Sequence, residues 1–150
     1  MLAAIREGLR GLERGEGGPF GAVIVRQGRV VAGAHNRVVK THDPTAHAEI
    51  LALRAASRKL GRFDLSDCVL YSTCEPCPMC LAAVYWAKIR RLFFGCTRED
   101  AARIRFDDDY IYRVLQGKVK APRLRSLNIE RDSCLKLFQA WSGKKDKVRY

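Results

Sequence analysis

Three short stretches concentrate the side chains able to do chemistry. They are His47-Ala48-Glu49, the cysteine cluster "CEPCPMC" (Cys74, Cys77 and Cys80), and the acidic run Asp107-Asp108-Asp109 inside "RFDDDYIYR". One imidazole with two thiolates makes three soft-to-borderline ligands, a set that suits Zn²⁺ with the fourth tetrahedral position left to water. Cys77 and Cys80 precede an apolar run that reads as a helix. At a helix N-terminus this spacing aims both sulfurs at one point, and the free N–H groups and helix dipole favour their thiolates. Each stretch alone is ambiguous. A Cys-x-x-Cys also serves redox chemistry or half of a structural zinc site, a lone helical histidine is more often structural, and a run of aspartates most often forms a solvated turn. A structural zinc site needs a fourth Cys or His. Cys74 is the nearby candidate, but it should leave its strand before the helix begins, so it is not expected to ligate.

The combination is far more specific than its parts. His-x-Glu followed by Pro-Cys-x-x-Cys is the signature of zinc-dependent nucleobase deaminases, and "HAE" plus "PCPMC" supply it with a helix and a strand between them. The expected site is one Zn²⁺ per chain on His47, Cys77 and Cys80. Zinc lowers the pKa of bound water from about 16 toward about 7. Glu49, two residues from the ligand His47, is the expected proton carrier from that water to a ring nitrogen and then to the departing amine. The implied reaction is hydrolytic deamination of an amidine-like carbon in a heterocycle.

These residues need a scaffold, and the hydrophobic pattern outlines one. An amphipathic helix opens the chain, and a glycine-rich loop "GEGGPFG" follows. Two β-branched runs joined at Gln27-Gly28 then read as a β-hairpin. The next segment predicts a helix with Asp43 or Thr45 as N-cap and Gly61 as its stop. Strands are expected at 68–73 and 90–97, flanking a helix at 78–88 that makes a parallel crossover. Further on lie a short helix at 98–104, the acidic segment, a weak strand at 123–129 and a last helix around 134–141. The pattern predicts an α/β fold, a three-layer α/β/α domain with a mixed sheet of about five strands and helices on both faces. Residues 1–150 read as a single domain, with 130–150 a C-terminal helix and tail that cap the active site.

At 150 residues the chain can bury a core without disulfide staples, and 47% hydrophobic content excludes a disordered or collagen-like chain. Cys68, Cys96 and Cys134 read as buried small hydrophobes. No apolar run reaches the roughly 18 residues of a membrane span and the N-terminus lacks the form of a secretory signal, so the cytosol is the expected compartment and no membrane partner is expected. The net charge of +12 raises a nucleic-acid partner, but more than half of the excess falls in residues 118–150, at the C-terminal end. A solvated tail accounts for that at least as well.

The whole resembles the cytidine deaminase-like superfamily and, more narrowly, the bacterial guanine deaminases. The matching stretches are "GGPFGAVIV", "DPTAHAE", "CEPCPMC" followed by "AVYWA", "FDDDYIY", and "FQAW" with a terminal Tyr150, covering nearly everything from Gly17 onward. The tRNA adenosine deaminases share "HAE" and "EPCPMC" but usually carry Leu at the position of Cys74 and lack the "FDD" segment. The resemblance implies deamination of a small purine base, guanine to xanthine and ammonia, in salvage or catabolism. It implies Asn36 hydrogen-bonding the purine, Phe20 packed on the base, Ala48 among the substrate contacts, and Asp108 accepting from the amidine edge while helping to move protons. Tyr150 would close over the pocket, in some members from a neighbouring subunit, so that a homodimer with exchanged C-terminal segments is expected. A carboxylate suits guanine, whose N1–H and 2-amino group are adjacent donors. Arg105 stands where the family commonly has Gly, and the extra Asp109 leaves open whether Asp107 or Asp108 faces the pocket. Asn36 capping a turn and Phe20 plugging the core are the plainer readings of those residues. Competing activities are deamination of guanosine, cytosine or aminotriazines and, on the strength of the charge, tRNA editing. A catalytically silent zinc-stabilised module is disfavoured by Glu49.

Overall fold

The computed structural model describes residues 1–120 and 124–149. The chain divides into two compact units, Met1–Tyr112 and Arg113–Tyr150. In the first, α1 (Leu2–Glu13) buries only its small residues Ala4, Gly8 and Gly11. That helix lies in near-backbone contact with the sheet: a Cβ on Gly21 would come within 2.1 Å of the Ala4 carbonyl oxygen. Next come β1 (Gly21–Arg26) and β2 (Arg29–His35), joined through Gln27 and Gly28. Both turn residues have positive φ (49° and 75°), the requirement of a two-residue type I′ hairpin.

The short α2 (Val38–Thr41) leads to α3 (Ala48–Leu60). Gly61, at φ 64°, ends α3 in a Schellman arrangement in which its own N–H donates to Arg58 O and that of Arg62 to Ser57 O. The start of α3 differs from expectation. Neither Asp43 nor Thr45 caps it, because the Asp43 carboxylate accepts from the backbone N–H and hydroxyl of Thr45 in a local turn. His47 therefore occupies the N-cap.

Then follow β3 (Cys68–Cys74), α4 (Pro78–Trp86) and β4 (Arg91–Cys96). The sheet order is β2-β1-β3-β4, antiparallel except for the β3–β4 pair that α4 bridges. Ala22, Ile24, Cys68 and Leu70 form one core with Ala48, Ala52, Leu53 and Ala56 of α3 and Val84 of α4. The opposite face carries α1, so helices cover both faces as expected. A capping box, Thr97 with Asp100, starts α5 (Arg98–Arg103). The acidic segment then enters α6 (Asp109–Leu115), a helix that the pattern did not signal.

In the second unit, the strand expected at 123–129 does not form over its described residues, 124–129, and the sheet has four strands rather than about five. Leu124, Leu127 and Ile129 do not keep the two-residue period that would put one face on a core, and all are exposed. The last helix, α7, spans Arg131–Gly143, longer at both ends than the apolar run suggested. Among the described residues no helix is long and apolar enough to cross a membrane.

Candidate active site

Two helix N-termini meet beside the C-terminal end of β3. His47 is the N-cap of α3 and Cys77 the N-cap of α4. Pro78 occupies the first turn, where its missing N–H costs nothing. His47 Nδ1 lies 3.6 Å from Cys77 Sγ and 3.5 Å from Cys80 Sγ. Ligand atoms of a tetrahedral zinc site with ordinary Zn–N and Zn–S bonds stand about 3.6 Å apart across an N–S edge. All three donors lie within 4.8 Å of one another, so the donor set fits Zn²⁺ in both chemistry and spacing. Cys74, three residues earlier, is not in this group; its thiol approaches the Thr97 carbonyl at 3.5 Å, and burial pushes its pKa up to about 11.

The sulfur pair is polarised. The Cys80 thiol donates to Glu49 Oε2 at 3.5 Å, and contact with Cys80, together with the nearby imidazole, holds the Cys77 thiol well below its usual range despite its burial. The same contact, together with burial, pushes Cys80 upward. Its hydrogen bond with Cys77 raises the His47 pKa. Glu49 is buried against this cluster. Its Oε1 accepts a 2.9 Å hydrogen bond from Ser72 Oγ, and its Oε2 lies 3.5 Å from Cys80 Sγ. Burial raises the pKa of Glu49 and makes it the more able to hold a proton.

A cavity of about 410 Å³ opens in front of these groups, lined by His47, Glu49, Cys74 and Cys77 together with Phe20, Asn36, Phe106 and Asp108. Phe20 and Phe106 pack edge to face, with centroids 4.9 Å apart. Asn36 Oδ1 accepts from the backbone N–H of Gly18 (3.3 Å) and of Val38 (3.1 Å). With its oxygen so occupied, Asn36 presents its NH₂ as the group free to donate. Asp107 Oδ1 instead accepts from the Asp109 N–H in the turn that starts α6, and both of these residues are exposed. Asp108 alone of the three lines the cavity, where burial raises its pKa. The arm carrying it is tied to the ligand loop by Tyr112 Oη, which donates to the Pro76 carbonyl at 2.9 Å, and by the Arg98 guanidinium 4.9 Å over the Tyr112 ring.

Ala48 does not line this cavity; its side chain is fully buried in the core. Tyr150 lies outside the described residues. Ser72 and Tyr112 were not expected as parts of the site's support. Ser72 had a readable signal: it follows Cys68 and Leu70 at two-residue steps, a hydroxyl on the face of β3 that otherwise feeds the core.

The sequence profile of the cytidine and deoxycytidylate deaminase zinc-binding region matches residues 1–96. This chain belongs to that deaminase family. Guanine deaminase of Bacillus subtilis (strain 168) is 42% identical over all of this chain and 96% of its own length. A crystal structure of guanine deaminase from the same organism superposes with a TM-score of 0.93 at 41% identity, covering 98% of this chain and 94% of that one. The tRNA-specific adenosine deaminase of Aquifex aeolicus (strain VF5) is 46% identical, but over 63% of this chain and 62% of its own. As a deaminase of this family the chain is a zinc-dependent aminohydrolase with the cytidine deaminase-like fold.

Proposed function

We propose that this deaminase hydrolyses guanine to xanthine and ammonia, with one Zn²⁺ per chain held by His47, Cys77 and Cys80. The observation that carries the reading is the pairing, in one cavity with these ligands, of a carboxylate acceptor, Asp108, with an amide fixed as a donor, Asn36. Guanine offers adjacent donors at N1–H and the 2-amino group and acceptors elsewhere on its edge. Its likeness to guanine deaminase spans the whole chain at 42% identity, whereas a tRNA-specific adenosine deaminase matched over 92% of the chain is only 34% identical and one at 46% covers only 63%, which supports the base over the nucleic acid.

Bound zinc supplies a water acidic enough to attack near neutral pH. Glu49 would take one proton from the attacking water and pass it to a ring nitrogen as the C2–O bond forms. It would then take the second proton from the hydroxyl now on C2 and deliver it to the amine as the C2–N bond breaks and ammonia leaves. Ser72 holds the Glu49 carboxylate in place for both transfers. Asp108 accepts from the amidine edge and so brings C2 toward Glu49, while Asn36 donates to the base and Phe20 with Phe106 flanks it. Ala48 contributes through its backbone N–H in the first turn of α3, where that group has no helical partner. We also infer a cytosolic homodimer with exchanged C-terminal segments and Tyr150 closing the pocket. Exposed Tyr85, Phe93 and Phe94 in the first unit and Leu137 and Phe138 in the second support a partner copy.

The test is incubation of zinc-loaded protein with guanine, guanosine, cytosine, adenine and unmodified tRNA, with products separated by chromatography. Xanthine should dominate; inosine in tRNA with inert guanine would overturn the reading. Glu49→Gln should keep its zinc by elemental analysis and lose guanine turnover by roughly 10²-fold or more.

A further inference from the structure

A buried charged cluster that the chemistry does not use lies behind Asn36. Glu16 is 6% exposed, yet its carboxylate receives Lys40 Nζ at 2.5 Å and His35 Nε2 at 3.0 Å, and lies 3.2 Å from Arg37 Nε. On the far side of the imidazole, His35 Nδ1 is 3.6 Å from a Glu7 carboxylate oxygen. The backbone of Glu16 is engaged as well, its N–H donating to Gly11 O and its carbonyl accepting from Lys40 N–H. Glu16 thus joins the end of α1, the end of β2 and Lys40 of α2.

Both hydrogen bonds that fix the Asn36 amide start from segments this residue holds. Gly18, two positions after Glu16, donates one, and Val38, two positions before Lys40, donates the other. Gly17 between them passes so close that a Cβ would lie 2.1 Å from Asn36 Oδ1. A buried ion cluster is a weak device for stability, since desolvation offsets most of its attraction, but a good one for fixing geometry. We propose that Glu16, braced by Lys40 and His35, is a positioning residue for the substrate: it clamps the 16–18 and 38–40 segments around Asn36 Oδ1, so that the amide is locked as a donor facing the cavity. The clamp stands on geometry alone; its kinetic consequence rests on the guanine reading above.

Two measurements test it, on Glu16→Gln and, in case that variant fails to fold, on Lys40→Met, which removes a half-exposed partner. Native-state hydrogen exchange needs no substrate. The Gly18 and Val38 amides should exchange roughly five- to tenfold faster, the scale of one weakened hydrogen bond, while the Leu70 amide in the sheet is unchanged. Unaltered exchange at both amides overturns the proposal. The second measurement is a double-mutant cycle with Asn36→Ala on guanine. Glu16→Gln alone should raise KM several-fold with little change in kcat, and should add less than about twofold to the Asn36→Ala loss. A full multiplicative loss in the Asn36→Ala background would make Glu16 a general stabiliser and overturn the proposal. If the wild type does not turn over guanine, the substrate reading falls and the exchange measurement alone decides the clamp.

Discussion

Glu49 sits between neighbours that push its proton affinity in opposite directions: burial raises it, and the Ser72 hydroxyl, by donating to the charged form, lowers it. Ser72→Ala removes the lowering influence, so the Glu49 pKa rises further. The ionised form is needed to accept the water's proton, and the acid limb of kcat/KM against pH should therefore move upward. A limb that stays in place would mean that Glu49 does not govern it. Asp108 and Asp109 offer a matched comparison, one lining the cavity and the other exposed. Asp108→Asn should lower guanine kcat/KM by roughly 10- to 100-fold, the worth of a charge-assisted hydrogen bond, and Asp109→Asn by less than about twofold. Equal small effects in steady-state kinetics would return the run to a plain solvated turn.

Among the elements, the arm from α5 to α6 decides where Asp108 points. Tyr112→Phe keeps the ring under Arg98 but deletes the bond to the Pro76 carbonyl, one residue before the ligand Cys77. Guanine KM should rise about fivefold, with zinc content unchanged by elemental analysis. The sequence showed the arm's acids but not its course. Its helix starts through a side-chain turn at Asp107, and Arg105 precedes it at φ 69°, a left-handed conformation that glycine adopts without steric cost. Where apolar period and stop signals were strong, as in the hairpin, α3 from its first turn to Gly61, and the β3–α4–β4 crossover, the elements were legible to within a few residues. The failures were local competition. Asp43 spent its carboxylate on Thr45 rather than on a helix, and Leu124, Leu127 and Ile129 had the composition of a strand without its alternation. The clustering of His47, Cys77 and Cys80 was legible because a metal-binding set fixes its spacing, whereas the contacts of Ser72, Glu16 and Tyr112 arise only when the chain folds.

At the scale of the molecule, the proposed zinc ligands His47, Cys77 and Cys80 come from the starts of two helices separated by β3, and the fold sets their donor atoms within 4.8 Å of one another. Zinc bound there would stabilise the folded state by mass action, worth about 2.7 kcal/mol at a free concentration 100 times Kd. Removing it with a chelator, verified by elemental analysis, should lower Tm by several degrees in calorimetry, and returning zinc should restore it; an unmoved Tm would argue against tight binding at these ligands. The ends of the sheet differ sharply in what they carry. Gly21, His35 and Cys74 mark the end beside the cavity, while Arg26, Arg29, Cys68 and Arg91 mark the other. The Gln27-Gly28 tip lies at that second end, and a Cβ on Gly28 would meet nothing within 4 Å. That tip is accordingly a natural handle, a place to graft a reporter peptide or tether the enzyme to a support with its mouth facing away from the surface.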